Sequence, residues 1–465
     1  MNTALNHINN TDYNLSGRTR TVLIGGMLLG LVCLVLTYAG IFGAHDDHHT
    51  RFWSNLLHNS VFFTGIALMA GFFMSASITA WAGWYVSFKR IWESMSMFLI
   101  VGLVLMGIMA VTTYLRMNNL YHWNWEGVAD INHDNYDEII AGKSGFLNRN
   151  WYMFGTFIFL GLCLFLLSRI KSLSLAEEKN RDSEDFSYHY KIRKYAAMFL
   201  PLAGFGSAAM IWQWIMSVDS HWYSTMFAWY TGASWFVSMI ALTIMILMFL
   251  KAKGHLQTVS VEHFHDLGKF LFAFSIFWTY LWFSQYMLIW YANVGEETIY
   301  FRERVDNYPA LFYLNLLINF IAPFFILMRN DTKRKMGSLA FTAGLVLFGH
   351  WLDFFLMIKP GVAHTAHLSH SHGDGGHGDH HGGGHDAHGA VDHGHGAAHG
   401  AEDVLHAGAH ESAFELGNNF PGFLEFGTFI GFLCLFLFFV LGSLSRSSLQ
   451  SSADPYMEES VHHHT

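Results

Sequence analysis

Residues 348–358 read FGHWLDFFLMI, an apolar run that holds His350 and Asp353 three positions apart, on one face of a helix. The run closes a longer stretch, 335–358, whose length and composition fit a bilayer-crossing helix, which takes about 20 predominantly apolar residues. An ionisable side chain inside such a helix costs roughly 3 kcal/mol or more unless it is paired, neutralised or in contact with water. The two residues therefore mark either a functional group or a polar contact that fixes helix packing. Nine more stretches of this kind lie at 21–43, 58–86, 94–115, 150–168, 195–217, 227–250, 268–292, 308–328 and 420–442. The 465-residue chain is 52% hydrophobic and 13% charged, against roughly 25% charged in soluble proteins. It reads as an all-α polytopic membrane protein of ten transmembrane helices.

Nineteen of the 26 Lys and Arg residues fall on one set of loops and ends, among them Arg18, Lys89, Arg90, Lys251, Lys333 and Arg446. The opposite set holds Arg51, Arg116, Lys143, Arg149, Arg302, Arg304 and Lys359. Positively charged short loops stay cytoplasmic, so both termini are predicted inside. The acidic, His-rich loops HDDHHT, DINHDNYDE and GEETIYFRERVD are then outside, with most of the net charge of −9. The organisation expected is a cytoplasmic N-terminal segment (1–20), helices one to nine (21–358), a periplasmic loop (359–419), helix ten (420–445) and a cytoplasmic tail (446–465). The opening MNTALNHINNTDYNLSGRTR lacks the pattern of a cleaved signal, so the first helix is expected to be retained.

Cys33, Cys163 and Cys434 lie singly in three apolar stretches, with no CxxC or CxxCH motif, so the chain offers no attached c-type haem, iron–sulfur ligation or disulfide framework. The stretch 364–410 is built of Gly, His, Asp and Ala and cannot bury a core. Its imidazoles suit metal gathering, but low-complexity spacing encodes no fixed geometry; a solvated insertion fits, and no metal ligands are assigned.

Three polar groups can carry chemistry. Helix ten, in FPGFLEFGTFIGF, places Glu425 about one turn inside its outer end, at a depth similar to His350 and Asp353, so the three form a candidate proton path. Between helices five and six, IWQWIMSVDSHWYSTMFAWY sets Gln213, Asp219 and His221 near the outer face, where the last two either cap a turn or line the mouth of a polar cavity. Helix seven starts with His263, His265 and Asp266 and carries Ser275, Thr279, Tyr280, Ser284 and Gln285 along a broad face. That seam fits a quinone head, a file of water, or hydrogen bonds between helices. Glu93 reads as a charge partner of Arg90 at the start of helix three, and His58 and Asn59 as the outer-surface start of helix two. The aromatic segment NNLYHWNWEGV fits an interfacial belt or a partner contact.

The VDSHWYSTMFAWY turn, the helix HDLGKFLFAFSIFWTYLWFSQYMLIWYANVGEETIYF, the GHWLDFFLMI helix and the tail DPYMEES together resemble the NrfD-like (PsrC-like) membrane subunits, most closely the ActF type of bacterial alternative complex III. The resemblance implies two side-by-side four-helix bundles with a flanking helix at each end, in the bacterial inner membrane. It implies a subunit without a redox centre of its own, in a respiratory quinol:cytochrome c or quinol:oxidase oxidoreductase. The partners implied are an iron–sulfur subunit, multihaem and monohaem cytochrome c subunits, a sister NrfD-like subunit of the ActC type with the principal quinol site, and a terminal oxidase. Haem c and iron–sulfur clusters belong to those partners; quinone contact and membrane lipids, but no nucleic acid, are expected here. By position, a proton half-channel falls on His350, Asp353 and Glu425, with Asp219 and His221 at its outer side. Two other readings compete: a secondary transporter for a metal gathered by the His-rich loop, and a structural anchor for haem subunits. Transporter sites are built on broken helices, and Pro201 and Pro323, in helices five and eight, have no acidic metal site beside them in sequence.

Overall fold

The computed structural model describes residues 13–41, 49–180, 186–373 and 420–464; most of the loop expected at 359–419 lies outside the described residues. Among the described residues the chain is all-helical, and ten helices are long and apolar enough to cross a membrane. They are α1 (Gly17–Tyr38), α2 (Thr50–Thr79), α3 (Val86–Tyr114), α4 (Arg149–Lys179), α5 (Ser187–Trp214), α6 (Met226–Ala252), α7 (Val261–Ala292), α8 (Pro309–Leu327), α9 (Met336–Gly373) and α10 (Phe423–Leu444).

Each corresponds to one apolar stretch, but several ends move. Helix α2 starts at Thr50 rather than 58, α7 at Val261 rather than 268, and α9 runs on through Lys359 and Pro360 to Gly373, so the loop expected from 359 begins at least fifteen residues later. A charge ends an apolar run only if it must face lipid, and these have partners. Arg51 reaches Glu425, and Lys359 Nζ donates to Ser54 Oγ at 2.6 Å. His58 is likewise not at a surface start. It is buried two turns into α2, bonded through Nε2 to the Trp351 carbonyl (2.9 Å), while Asn59 Oδ1 accepts from Trp351 Nε1 (3.1 Å).

Helices α2, α3, α4 and α5 contact one another in succession, α5 returning to α2; α6, α7, α8 and α9 do the same, α9 returning to α6. The two sets meet where α6 packs on α2 and α5 and where α9 packs on α2. Helix α1 packs along α10 through small residues. A Cβ placed on Gly30 would lie 2.4 Å from Gly431 Cα, and one on Gly427 would lie 2.2 Å from Cys33 Sγ. Both helices carry Gly-x-x-x-Gly, at 26 and 30 and at 427 and 431, the spacing that lets backbones approach in lipid.

At the end holding the termini, the tail docks back onto the bundle. Lys89 Nζ meets Asp454 Oδ2 at 2.7 Å with both side chains buried. Ser460 Oγ accepts the Ser87 N–H at 3.0 Å and donates to the Trp84 carbonyl at 2.9 Å. Burial pushes the Asp454 carboxyl up, but the Lys89 ammonium and the Tyr456 N–H outweigh it and hold it below the usual range. The expected Arg90–Glu93 pair forms at 2.7 Å, buried rather than at a surface. At the opposite end, Tyr121 of the aromatic segment is buried and bonds Tyr152 and the Trp214 carbonyl, both at 2.9 Å, packing on helix ends rather than forming a belt.

Candidate functional site

Asp353 is fully buried where α6, α7, α8 and α9 converge, and each of the other three helices sends it a donor. Its Oδ1 accepts from the Tyr230 hydroxyl and from Asn315 Nδ2 (2.8 Å); its Oδ2 accepts from Trp278 Nε1 (3.0 Å) and Ser234 Oγ (3.1 Å). Four donors on two oxygens is the pattern of an ionised carboxylate. Ser234 has one hydrogen, given to Asp353, so its lone pair takes the Nδ1–H of His350 at 2.8 Å. His350 Nδ1 stands 3.9 Å from Asp353 Oδ2.

The backbone explains how these side chains meet. Tyr230 with Ser234 on α6, and Asn315 with Asn319 on α8, are one helical turn apart. Pro323 has no N–H to give the carbonyl one turn back, and α8 widens into a π turn at Leu317–Ile321, which carries Asn319. Asn319 Nδ2 donates to Asn315 Oδ1 at 2.6 Å, and its Oδ1 comes so close to α9 that a Cβ on Gly349 would lie 2.2 Å from it. Buried His350 Nε2, Asn319 Oδ1, Ser275 Oγ and Gln285 Nε2 have no hydrogen-bond partner among the described residues.

Toward the loop end, Pro360 frees the Leu356 carbonyl in the same way. Arg304, on the helix Gly295–Asn307, fills the gap: its Nε donates to Leu356 O (3.0 Å), and its Nη2 to Met357 O (3.2 Å) and Asp219 Oδ2 (2.9 Å). The guanidinium lies 3.3 Å from the Tyr300 ring centre. Asp219 is thus an ion-pair partner of Arg304 and does not cap α6, whose N-cap is Thr225. Neighbouring Glu303 is pushed up to about 8 by burial and by the Asp219 charge, against the opposing pull of Arg304. Between Tyr230 and Arg304 lies a cavity, lined also by Gln285, Tyr300 and Leu356, with about 10 Å³ for the centre of a water molecule, room for one.

The other expected residues separate. Glu425 is not a turn inside α10 but in its first turn, where Oε2 accepts the Gly422 N–H at 2.9 Å. Arg51 grips it with Nε (2.9 Å) and Nη2 (3.0 Å), and Asn55 Nδ2 adds a third bond at 2.9 Å, a different partner set from that of Asp353. His221, two residues from Asp219, turns to Asp137, with Nε2 at 2.6 Å from Oδ2. Burial raises the Asp137 carboxyl, but the His221 bond, the Ile140 N–H and the His221 and His122 rings bring it down to about 2. On α7 the seam splits: Ser275, Ser284 and Gln285 face inward, Thr279 Oγ1 bonds the Ser275 carbonyl (2.8 Å), and Tyr280 is 61% exposed.

Missed in sequence were Tyr230, Ser234, Trp278, Asn315, Asn319, Glu303 and Arg304. Asn315 and Asn319 had a signal, a polar pair at helical spacing inside LFYLNLLINFIAPFF, of the same kind as His350 and Asp353. No family model matches the chain, and no curated protein does.

Proposed function

We propose that this chain is a proton-conducting membrane subunit of a respiratory quinol oxidoreductase of the alternative complex III kind, lying in the bacterial inner membrane with both termini cytoplasmic. The observation that carries the proton role is the fully buried Asp353, joined to the Arg304–Asp219 pair through the Tyr230 hydroxyl and a cavity of one water's size. A buried polar network serving packing alone would leave all its members satisfied. Here His350 Nε2, Asn319 Oδ1 and Gln285 Nε2 lack partners among the described residues, and Gln285 also lines the cavity, so water belongs there. On taking up a proton, Asp353 passes it by the Tyr230 hydroxyl and that water to Asp219 and Glu303, with Arg304 setting the charge between them.

The succession of contacts within α2–α5 and within α6–α9 supports two four-helix bundles flanked by α1 and α10. The Lys and Arg asymmetry supports the orientation. The cavity beside Gln285 has room for one water, and by the resemblance quinol oxidation is assigned to partner subunits, with their haems and iron–sulfur clusters. The test is Asp353→Asn in the assembly purified with its partners and reconstituted in vesicles. Proton translocation per electron is expected to fall to near zero with subunit composition and haem content unchanged. Unchanged coupling would leave the anchor reading, and a lone colourless protein on purification would favour the transporter.

A further inference from the structure

We propose that His122, Asp137 and His221 form a binding site for a divalent transition-metal ion, with zinc as the best-fitting class. One ligand atom from each lies within 4.8 Å of the others. They come from three separate places: the short turn His122–Asn124, the residue capping the helix Glu138–Lys143, and the connection between α5 and α6. Two imidazoles and one carboxylate are the donor set of an open zinc site, in which water completes a tetrahedron. The site lies outside the membrane spans and its three residues are half-buried, so solvent reaches it.

The ligands are held in place before any ion arrives. Asp137 spends Oδ1 on the N–H groups of Ile139 and Ile140, both at 3.0 Å, which leaves Oδ2 directed at His221. Lys143 Nζ, from the same short helix, donates to the Ser220 and His221 carbonyls at 2.9 and 2.8 Å and so fixes the loop carrying the imidazole. The His122 ring sits edge-on to the His221 ring, centres 5.5 Å apart, and against Trp125 at 4.4 Å. Such outer contacts orient metal ligands and are worth 10–100-fold, roughly, in affinity. A simple ion pair needs one histidine; the second imidazole beside the same carboxylate is what a metal uses. In the metal-free form one proton bridges His221 Nε2 and Asp137 Oδ2. An entering ion takes the Nε2 lone pair and Oδ2 in place of that contact while the ring proton moves to Nδ1, and because a doubly protonated imidazole has no lone pair to give, binding weakens as pH falls.

The test uses the full chain in detergent, stripped with a chelator and titrated with Zn²⁺, reading the thermal unfolding midpoint and competition against a chromophoric chelator. Histidines in 374–419 also take zinc, so the criterion is zinc-dependent stabilisation in wild type against His122→Ala, His221→Ala and Asp137→Asn, the last keeping an Oδ1 for the helix cap. Expected is a rise in the wild-type midpoint, with apparent affinity weakened on the order of tenfold or more in each variant. An equal rise in wild type and all three variants, or no rise in wild type, overturns the site. If one variant is unfolded before zinc is added, the other two decide.

Discussion

Burial and the Asp219 charge push the Glu303 carboxyl up to about 8, against the ordinary value of 4.5 in the unfolded chain. The folded state therefore binds more protons across that interval, so this residue's contribution to stability is complete below the lower value and is lost as pH rises through the upper one. The thermal midpoint is expected to decline between about pH 5 and pH 8, and Glu303→Gln to flatten that decline, as measured by unfolding in buffers across the range. A flat wild-type profile would remove Glu303 from the proposed route. The sequence displayed His350, Asp353 and Asp219 because a polar residue in or beside an apolar run stands out. Their partners did not stand out. Arg304 is 85 residues from Asp219, and Tyr230 is 123 residues from Asp353, distances over which helical spacing says nothing. Glu425 shows the opposite failure: similar depth suggested a shared path, but depth does not specify azimuth around the bundle, and Arg51 claims it instead.

At the scale of elements, hydropathy located all ten spans, because the need to satisfy every backbone N–H and C=O in lipid leaves a helix as the available form. Helix ends were less legible, since Arg51, Lys89 and Lys359 sit inside helices where another helix or the C-terminal tail supplies a partner. The pairing of α1 with α10 was written in two Gly-x-x-x-Gly patterns, but neither pattern names the other. Gly30→Ala places a methyl 2.4 Å from the Gly431 backbone, a contact that no side-chain rotation relieves. The expected loss is about 1–3 kcal/mol in detergent unfolding. Gly25→Ala, five residues earlier and with open space around its Cβ, is the control, expected to be neutral or slightly stabilising. Equal effects of the two would mean that close backbone approach is not what holds α1.

For the whole molecule, the two ends differ in charge, and the proposed orientation rests on that difference. Glu126→Cys, on the loop-rich end and 79% exposed at its ion pair, is expected to react with an impermeant maleimide on intact spheroplasts. Asp331→Cys, 70% exposed at the opposite end, is expected to react only after permeabilisation. The reverse pattern would invert the topology. Residues far apart in the chain close both ends: Arg51 and Glu425 are 374 positions apart, and Lys89 and Asp454 are 365 apart. At about 5–20 residues per second, a ribosome delivers Arg51 to the bilayer tens of seconds before the carboxylate that will hold it exists. Throughout that interval Arg51 is without Glu425, Lys89 is without Asp454, and α1 shows its glycine face to lipid. Translation past Asp454 cancels all three. A product that stops before α10 lacks both Glu425 and Asp454 and leaves the glycine face of α1 uncovered.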